Sequence, residues 1–335
     1  MLSFTIWMTN RCNLACKYCY EKDNVNRNAC EQAVDTDQVI DFIKEKADHY
    51  KRDDISVSFH GGEPLLRYDR IRVYIESLRT VMPDRRMSFF LTTNGLLLDR
   101  EKAEYLTDHL DELSISVDGC EEAHDLNRVY PNGQGSYREV MRHIEQCGLD
   151  KGKLRVRMTV TANNVTYLAD GVESLVNQGF RCIVPAVAIE DPDWTEERFR
   201  ILEEELIRMK KRYSRENVCI AMIDQREMRV KTACTGGIKS FNIMMNGDVY
   251  PCEYVAGNKA FSLGNIADFQ VDEEALRKLY GQVGCSDCQE CTYGIYCDGV
   301  RCKYINVINT GDFHTPPDAL CEVENIKYRV YRYII

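Results

Sequence analysis

The stretch Thr9–Asp23, with the sequence TNRCNLACKYCYEKD, determines how the rest of this 335-residue chain is interpreted. Its three cysteines, Cys12, Cys16 and Cys19, have the spacing C-x3-C-x2-C. Three thiolates on one loop can hold three corners of a four-iron cluster and leave the fourth iron without a protein ligand. Clusters with four thiolates mostly transfer electrons, whereas an open iron can also bind a substrate or cofactor. The spacing therefore predicts a centre for radical chemistry.

Zinc is the main alternative for this loop. A structural zinc site needs a fourth Cys or His at a fixed spacing. Cys30 is too distant, and no His follows within the loop. The sequence therefore argues against a zinc knuckle.

The bulk composition indicates a globular protein of the cytoplasm. Hydrophobic residues make up 44% of the chain, and no apolar run reaches the roughly 18 residues of a membrane span. The first eight residues are typical of a strand rather than of a signal peptide. Sixteen cysteines in a reducing compartment favour metal ligands, and a net charge of −10 argues against nucleic acid as a partner. We therefore expect neither a membrane nor a nucleic-acid partner.

Strand-like and helix-like segments alternate through the first half of the chain. The predicted strands are Ser3–Met8, Ile55–Phe59, Met87–Thr92, Leu113–Val117, Leu154–Thr161 and Cys182–Ala188. The predicted helices are Thr36–Tyr50, Tyr68–Val81, Asp99–His109, Ser136–Cys147 and Thr166–Gln178. Repeated strand–helix units form a parallel sheet with right-handed crossovers. Six units are two short of a closed barrel, so we predict an α/β fold with a partial (β/α)6 TIM-type barrel.

The composition changes in the second half. A charged helix is predicted at Trp194–Arg215, and eight of the sixteen cysteines lie between Cys234 and Cys321. We place a domain boundary near Arg226–Thr232, which gives a barrel domain with a bridging helix at 1–230 and a cysteine-rich domain at 231–335. The last helix is predicted at Val323–Ile335.

A β-hairpin and short helices are expected in the cysteine-rich domain. Asn246-Gly247 lies between two apolar runs, which is a strong hairpin signal. This hairpin would present Cys252 beside the neighbouring cysteines.

The N-terminal loop resembles the signature of the radical S-adenosylmethionine (SAM) enzymes, with Tyr18 as the aromatic residue before the third cysteine. Gly61-Gly62-Glu63-Pro64, after the second strand, resembles the GGEP motif with which this family binds the methionine amino group. Glycines let a backbone approach a ligand closely, and a carboxylate suits an ammonium group.

Further matches follow the later strands in order. Asn94 follows the third strand, where the family uses an Asn near the ribose of SAM. Ser116 ends the fourth strand, where the family places polar contacts to SAM, and Asp118 is interpreted as a turn former. Arg128 resembles the arginine that reaches the SAM carboxylate; its alternative is a surface salt bridge.

The resemblance implies a mechanism. The amino and carboxylate groups of SAM bind the open iron, and one electron from the reduced cluster breaks a carbon–sulfur bond. The resulting 5′-deoxyadenosyl radical abstracts a hydrogen atom from the substrate, while the protein positions and shields the reactants. A reductase, flavodoxin or ferredoxin would supply the electron.

The second half resembles the SPASM domain, a seven-cysteine module appended to radical SAM enzymes that modify peptides and proteins. One spacing departs from it, because four residues separate Cys297 from Cys302 where three are common. The resemblance implies two auxiliary clusters, hence three [4Fe-4S] clusters in all. The implied ligands are Cys288, Cys291, Cys297 and Cys321 for an outer cluster, and Cys234, Cys252 and Cys302 for an inner one.

Two questions about these ligands stay open at the level of sequence. Either the inner cluster has an open iron, or Cys219 or Cys285 serves as its fourth ligand. Cys285-x2-Cys288-x2-Cys291 also has the spacing of a zinc site.

Three functions follow from these patterns. The leading hypothesis is a radical SAM peptide maturase that acts on a ribosomally made precursor peptide and forms a thioether or carbon–carbon crosslink. The alternative is an anaerobic sulfatase-maturing enzyme that oxidises Cys or Ser to formylglycine. In those relatives an acid just after the hairpin cysteine acts as base, which would be Glu253 here, although Glu is longer than the usual Asp and a solvated or cluster-tuning carboxylate is the alternative. The remote hypothesis is an iron–sulfur electron-transfer protein.

Overall fold

The computed structural model describes residues 1–21, 33–224 and 228–333, and an open parallel sheet is its frame. Six strands pair in chain order, each parallel to the next. They are β1 (Leu2–Thr9), β2 (Asp54–Gly61), β3 (Arg86–Thr93), β4 (Glu112–Ser116), β5 (Arg155–Val160) and β6 (Cys182–Val187). The predicted α/β fold with a partial barrel is therefore confirmed. A short seventh strand, β7 (Cys219–Ile220), extends the sheet beyond β6.

Helices connect the strands on the outside of this sheet. They are α1 (Thr36–Tyr50), α2 (Tyr68–Val81), α3 (Arg100–His109), α4 (Glu121–Asn127), α5 (Tyr137–Gln146), α6 (Leu168–Asn177) and α7 (Glu196–Tyr213). The bounds of α1 and α2 agree with the predicted ones, because a buried apolar stripe defines each. The sequence did not predict α4, which has seven residues and is too short to show an apolar period.

The predicted hairpin is present and joins the main sheet. β8 (Ser240–Ile243) pairs antiparallel with β9 (Val249–Tyr250), and Gly247 in the turn has a φ of +84°. β8 also pairs in parallel with β1, which gives the strand order β7-β6-β5-β4-β3-β2-β1-β8-β9. The sheet thus crosses the predicted boundary near Arg226–Thr232, of which residues 225–227 lie outside the described residues. The two domain ranges stay a prediction.

Short helices follow the hairpin, as predicted. They are α8 (Glu273–Gly281), α9 (Ser286–Glu290), α10 (Asp298–Arg301), α11 (Lys303–Thr310) and α12 (Asp318–Arg332). The predicted start of α12 at Val323 is wrong: the helix begins five residues earlier, because Leu320 continues its buried face. Residues 334–335, at the predicted end, lie outside the described part. No helix in the described ranges is long and apolar enough to cross a membrane.

Helix α12 attaches the cysteine-rich half to the barrel. The guanidinium of Arg329 donates to both carboxylate oxygens of Glu203 on α7, at 2.9 and 2.7 Å. Lys210, also on α7, donates from Nζ to the carbonyls of Val330 and Tyr331 at 2.6 and 2.8 Å. These bonds attach α7 to carbonyls in the last turn of α12.

A buried lysine holds the short helices together. Lys303 is 1% exposed, and its Nζ donates to the carbonyls of Gln282 and Val300 at 2.9 and 3.0 Å. It also lies 3.2 Å from Nδ1 of His314. A buried ammonium is tolerated only where its donors are satisfied, and here it joins three segments of the chain.

We therefore predict that Lys303→Met destabilises the chain. The substitution leaves two buried carbonyls without their charged donor, which should lower the free energy of unfolding by about 2–4 kcal/mol. Lys278→Met on the exposed face of α8 is the matched control and should change it by less than about 0.5 kcal/mol. Urea unfolding of both variants checks this, and equal effects would contradict the role of Lys303.

Candidate functional site

The cysteine loop leaves β1 at the carboxyl edge of the sheet, in direct contact with the end of β2. The amide of Gly62 donates to the carbonyl of Thr9 at 2.9 Å, and the amide of Glu63 donates to the carbonyl of Arg11 at 2.9 Å. A Cβ on Gly61, whose φ is +124°, would lie 2.2 Å from the Thr9 oxygen, and one on Gly62 would lie 2.2 Å from the Arg11 oxygen. The glycine pair is therefore required for contact between two backbones.

The other side of the loop is held by the end of α4. The amide of Ala15 donates to the carbonyl of Val129 at 2.7 Å, and the amide of Lys17 donates to that of Asn127 at 3.0 Å. The end of the helix that the sequence did not predict, with the residues that follow it, thus fixes the backbone on both sides of Cys16, the second predicted cluster ligand.

Glu63 points inward from the predicted SAM motif. Its carboxylate, 1% exposed, accepts hydrogen bonds from Thr93 Oγ1 at 2.7 Å, from the Asn94 amide at 2.8 Å and from the Leu65 amide at 3.0 Å. Burial raises the pKa of Glu63, and these bonds lower it in part. The carboxylate joins the ends of β2 and β3, and its contact with SAM stays a prediction.

The neighbouring motif residues lie at the same edge. Pro64 begins a 3-10 turn at Pro64–Arg67, and Asn94 donates from Nδ2 to Oδ1 of Asn13 in the cysteine loop at 2.7 Å. Ser116 is buried at the end of β4. The structure thus brings the predicted cofactor-binding residues of β2, β3 and β4 to one edge of the sheet.

A buried charge network under the cysteine loop centres on Asp118. Its Oδ2 accepts from the hydroxyl of Tyr18 at 2.6 Å, and its Oδ1 accepts from the Thr159 amide at 2.8 Å and lies 2.9 Å from Nε of Arg128. The Arg128 guanidinium carbon lies 5.3 Å from the centre of the Tyr18 ring, close enough for a cation–π contact. Arg128 is 7% exposed, so the alternative of a surface salt bridge is wrong.

Sequence reasoning missed the importance of Asp118, which it took for a turn former. The amide of Asp118 donates to Nδ1 of His124 at 3.3 Å, and Nε2 of His124 lies 2.9 Å from Oγ of Ser136. The hydroxyl of Ser136 donates to the Arg128 carbonyl at 2.8 Å. Burial lowers the pKa of His124, and Arg128 lowers it further, so the imidazole is neutral and protonated at Nε2. The available signal was position: Asp118 follows directly after β4.

The thiols of Cys12, Cys16 and Cys19 lie within electrostatic range of one another. Burial raises the pKa of Cys12 to about 12 and that of Cys16 to about 11. Such thiols are protonated at neutral pH, so metal binding must displace protons from them. Three thiols on one anchored loop fit a four-iron cluster with three protein ligands, and this assignment stays a prediction.

The predicted inner group is also brought together. Cys252 lies within electrostatic range of Cys234 and Cys302, and burial raises the pKa of all three thiols, that of Cys302 to about 11. Cys234 and Cys252 pack against a buried cluster formed by Ile238, Val255, Tyr280 and Tyr304. These thiols fit a cluster shielded from water.

The two suggested fourth ligands of the inner group lie elsewhere. Cys219 pairs in register with Cys182 at the amino end of β7, at the edge of the sheet opposite the hairpin. Cys285 lies beside Cys288, with 3.6 Å between their sulfurs. Among the residues that the structure describes, the inner group thus has three thiols.

The predicted outer group surrounds a cavity of about 320 Å³, which Cys288, Cys291 and Cys297 line. Cys321, on the first turn of α12, lies within electrostatic range of Cys288, and burial raises their pKa values to about 11 and about 12 respectively. The extra residue between Cys297 and Cys302 is accommodated by α10, a single helical turn. In the described residues, no three His, Cys, Asp or Glu side chains surround a single-ion site.

An aromatic contact joins the cysteine loop to the segment that carries Glu253. The rings of Tyr20 and Tyr254 stack with centroids 5.4 Å apart, and the hydroxyl of Tyr20 lies 3.1 Å from Nε2 of His60. Burial raises the pKa of Tyr20, and the nearby carboxylates of Glu21 and Glu253 raise it further. Glu253, half-buried at the start of a 3-10 turn, therefore lies near the cysteine loop. Sequence reasoning missed this contact.

Comparisons with known proteins agree with this geometry. The sequence profile of the Radical SAM superfamily matches residues 6–160. The cysteine-type anaerobic sulfatase-maturating enzyme of Clostridium perfringens is 24% identical over 327 residues, which cover 87% of this chain and 86% of that one. The sporulation killing factor maturation protein SkfB of Bacillus subtilis is 28% identical, over 75% of this chain and 60% of that one.

A solved structure shares the fold over almost the whole chain. Native anSMEcpe with bound AdoMet superimposes with a TM-score of 0.79 at 21% identity, covering 98% of this chain and 97% of that chain. The cysteine loop and Gly61-Gly62-Glu63-Pro64 lie within residues 6–160, which the Radical SAM profile matches. The superposition with the solved structure covers 98% of the chain and therefore includes the partial barrel. Residues 6–160 are therefore a domain of the Radical SAM superfamily, in an enzyme related to anaerobic sulfatase-maturating enzymes and to SkfB.

Proposed function

We propose that this enzyme removes two electrons from one residue of a peptide or protein substrate. The contact between Tyr20 and Tyr254 supports this best, because it places Glu253 near the predicted radical-generating loop. An enzyme that only cleaves SAM needs no acid at this position. A substrate residue that has lost a hydrogen atom must still lose one proton and one electron.

The residues beneath the loop would prepare the cofactor site. Cys12, Cys16 and Cys19 would hold a four-iron cluster, and SAM bound beside it would supply the radical chemistry for hydrogen-atom abstraction. Asp118 holds Arg128 at a fixed place through Nε, and the Nη N–H groups of the same guanidinium would attract the SAM carboxylate. Neutral His124 adds no competing charge to this site.

Glu253 would act on the substrate as a base. An Oε atom of its carboxylate would accept the proton, and an auxiliary four-iron cluster held by the C-terminal cysteines would accept the electron that the substrate loses. General-base catalysis of this kind contributes about 10²–10⁴-fold to a rate. The longer Glu side chain suits this role because the segment is already held against Tyr20.

The favoured product is a thioether or carbon–carbon crosslink in a ribosomally made precursor peptide. The relation to SkfB, a protein named for maturation of a killing factor, supports a peptide substrate. Oxidation of one residue to an electrophile, followed by attack of a neighbouring thiol or carbon, closes such a crosslink with net loss of two hydrogens. A reductase, flavodoxin or ferredoxin would supply the electron for SAM cleavage.

Formylglycine formation is the second candidate. The similarity to the sulfatase-maturating enzyme of Clostridium perfringens extends over most of both chains. Oxidation of a cysteine at Cβ, followed by addition of water and loss of hydrogen sulfide, gives the aldehyde.

The mass of the product tests both candidates. Reconstituted enzyme, SAM and dithionite are incubated with the peptide encoded beside its gene and, separately, with a cysteine-containing sulfatase peptide. Loss of two hydrogens from the first peptide is the expected result, and exchange of sulfur for oxygen with loss of two hydrogens in the second indicates the alternative. Reduced enzyme that leaves SAM intact would exclude both.

We predict that Glu253→Gln separates SAM cleavage from substrate oxidation. Without the base, product formation should fall by about 100-fold or more, while SAM cleavage stays within about twofold, because the cysteine loop is unchanged. Glu253→Asp should restore most of the activity, since it keeps a carboxylate. Quantifying 5′-deoxyadenosine and product together checks this. Equal loss of both would instead indicate a structural role.

We also predict that Asp118→Asn weakens the chain and SAM binding together. The substitution leaves Arg128 buried without its anion, which should lower the free energy of unfolding by about 3–5 kcal/mol. Glu121→Gln is the matched control, because Glu121 and Arg138 form an exposed ion pair at 2.7 Å, worth about 0–1 kcal/mol. Urea unfolding and equilibrium SAM binding provide the measurements. Comparable stability of both variants would rule out the buried network as a support for the site.

A further inference from the structure

A fifth cysteine lies beside the four of the predicted outer group, although a cubane has only four irons to ligate. Cys285 is the additional one, and it lies within electrostatic range of Cys288 and Cys321. The sulfurs of Cys285 and Cys288 are 3.6 Å apart, which is van der Waals contact. Cys291, by contrast, is exposed, and Cys297 lies at the start of α10.

This short distance restricts what the two thiols can do. Thiolates on different irons of a cubane point outward from different corners, so they cannot remain in contact with each other. Cys285 and Cys288 therefore fit one corner of a cluster, not two.

The fold holds the two thiols in this arrangement. The amide of Cys285 donates to the carbonyl of His314 at 2.9 Å, and Lys303 bonds both His314 and Gln282 beside this turn. Gly284 is required for the close approach, since a Cβ there would lie 2.7 Å from the sulfur of Cys288.

We propose that Cys285 and Cys288 are alternative ligands of a single iron in the outer cluster. This rests on the proposed auxiliary clusters. In the exchange, the departing thiolate takes up a proton as the entering thiol releases one, so neither net charge nor oxidation state changes. One iron can then exchange its thiolate ligand while the cluster stays bound to the protein, which suits a cluster near the protein surface.

Iron content tests this exchange in the full-length, reconstituted enzyme. The variants are Cys285→Ala, Cys288→Ala and the double variant, with Ala chosen because a serine oxygen can also ligate iron. Each single variant should keep the full iron content of the wild type. The double variant keeps three thiolates and one unligated iron, so mild oxidation should remove that iron, about a twelfth of the total relative to wild type treated in the same way, and give the EPR signal of a three-iron cluster. Loss in either single variant, or full retention in the double variant, would overturn the proposal.

Cys297→Ala is the matched control, because its corner has no second thiol in contact. On its own it should lose the same single iron after mild oxidation, about a twelfth of the total. If it keeps all of its iron, no outer cluster is bound here, and the inference fails together with the auxiliary clusters. SAM cleavage by the same samples reports separately on the N-terminal cluster. Loss of SAM cleavage therefore distinguishes a failure of that cluster from a failure of the outer one.

Alkylation gives a second measurement that does not depend on iron analysis. In the native, cluster-loaded wild type, iodoacetamide should modify either Cys285 or Cys288 in each molecule. The other of the two, which ligates iron, should be protected. In Cys288→Ala, Cys285 should become protected. Protection of both in the wild type, or modification of both in one molecule, would overturn a shared corner.

Discussion

The contact between the ends of β1 and β2 is the constraint on which the site depends. Two backbone hydrogen bonds join Gly62 to Thr9 and Glu63 to Arg11. The two backbones lie so close that neither Gly61 nor Gly62 could carry a Cβ. The first cysteine therefore leaves the sheet at a point set by backbone geometry. Since α4 holds the far side of the loop, the thiols are positioned by main-chain bonds and do not depend on flexible side chains.

Beneath this loop, the charges form a buried network that is paired within the protein. Asp118 is fully buried, and it accepts from Tyr18 and from the Thr159 amide while it pairs with Arg128. In a low dielectric such a network is favourable only when every member is satisfied. The network therefore resists rearrangement, which leaves Arg128 as a fixed positive charge close to Cys16. A fixed cation near an anionic cofactor site costs no reorganisation on binding.

The sequence predicted those features that a local pattern encodes. Apolar periodicity located the strands and helices of the barrel, and Asn246-Gly247 located the hairpin. The order of the motifs along the chain predicted that the SAM-binding residues lie at one edge of the sheet, at the carboxyl ends of the strands. Features that depend on tertiary contact were missed. The pairing of β8 with β1 joins strands more than 230 residues apart, and no local signal marks it. The role of Asp118 arises from partners on three different segments, and the contact of Cys285 with Cys288 depends on packing beside Gly284.

The pairing of β8 with β1 also connects the two halves chemically. β1 carries the cysteine loop at its carboxyl end, and β8 runs parallel to it, so the hairpin turn emerges at the same edge. The segment after β9 then returns Tyr254 to stack on Tyr20 of that loop. Glu253, which precedes Tyr254, is thus held in place relative to the cysteine loop by the pairing of β8 with β1 and by the stacking of Tyr254 on Tyr20. A shift of the cysteine-rich half would have to break sheet hydrogen bonds, so the separation between Glu253 and the cysteine loop is fixed by the fold.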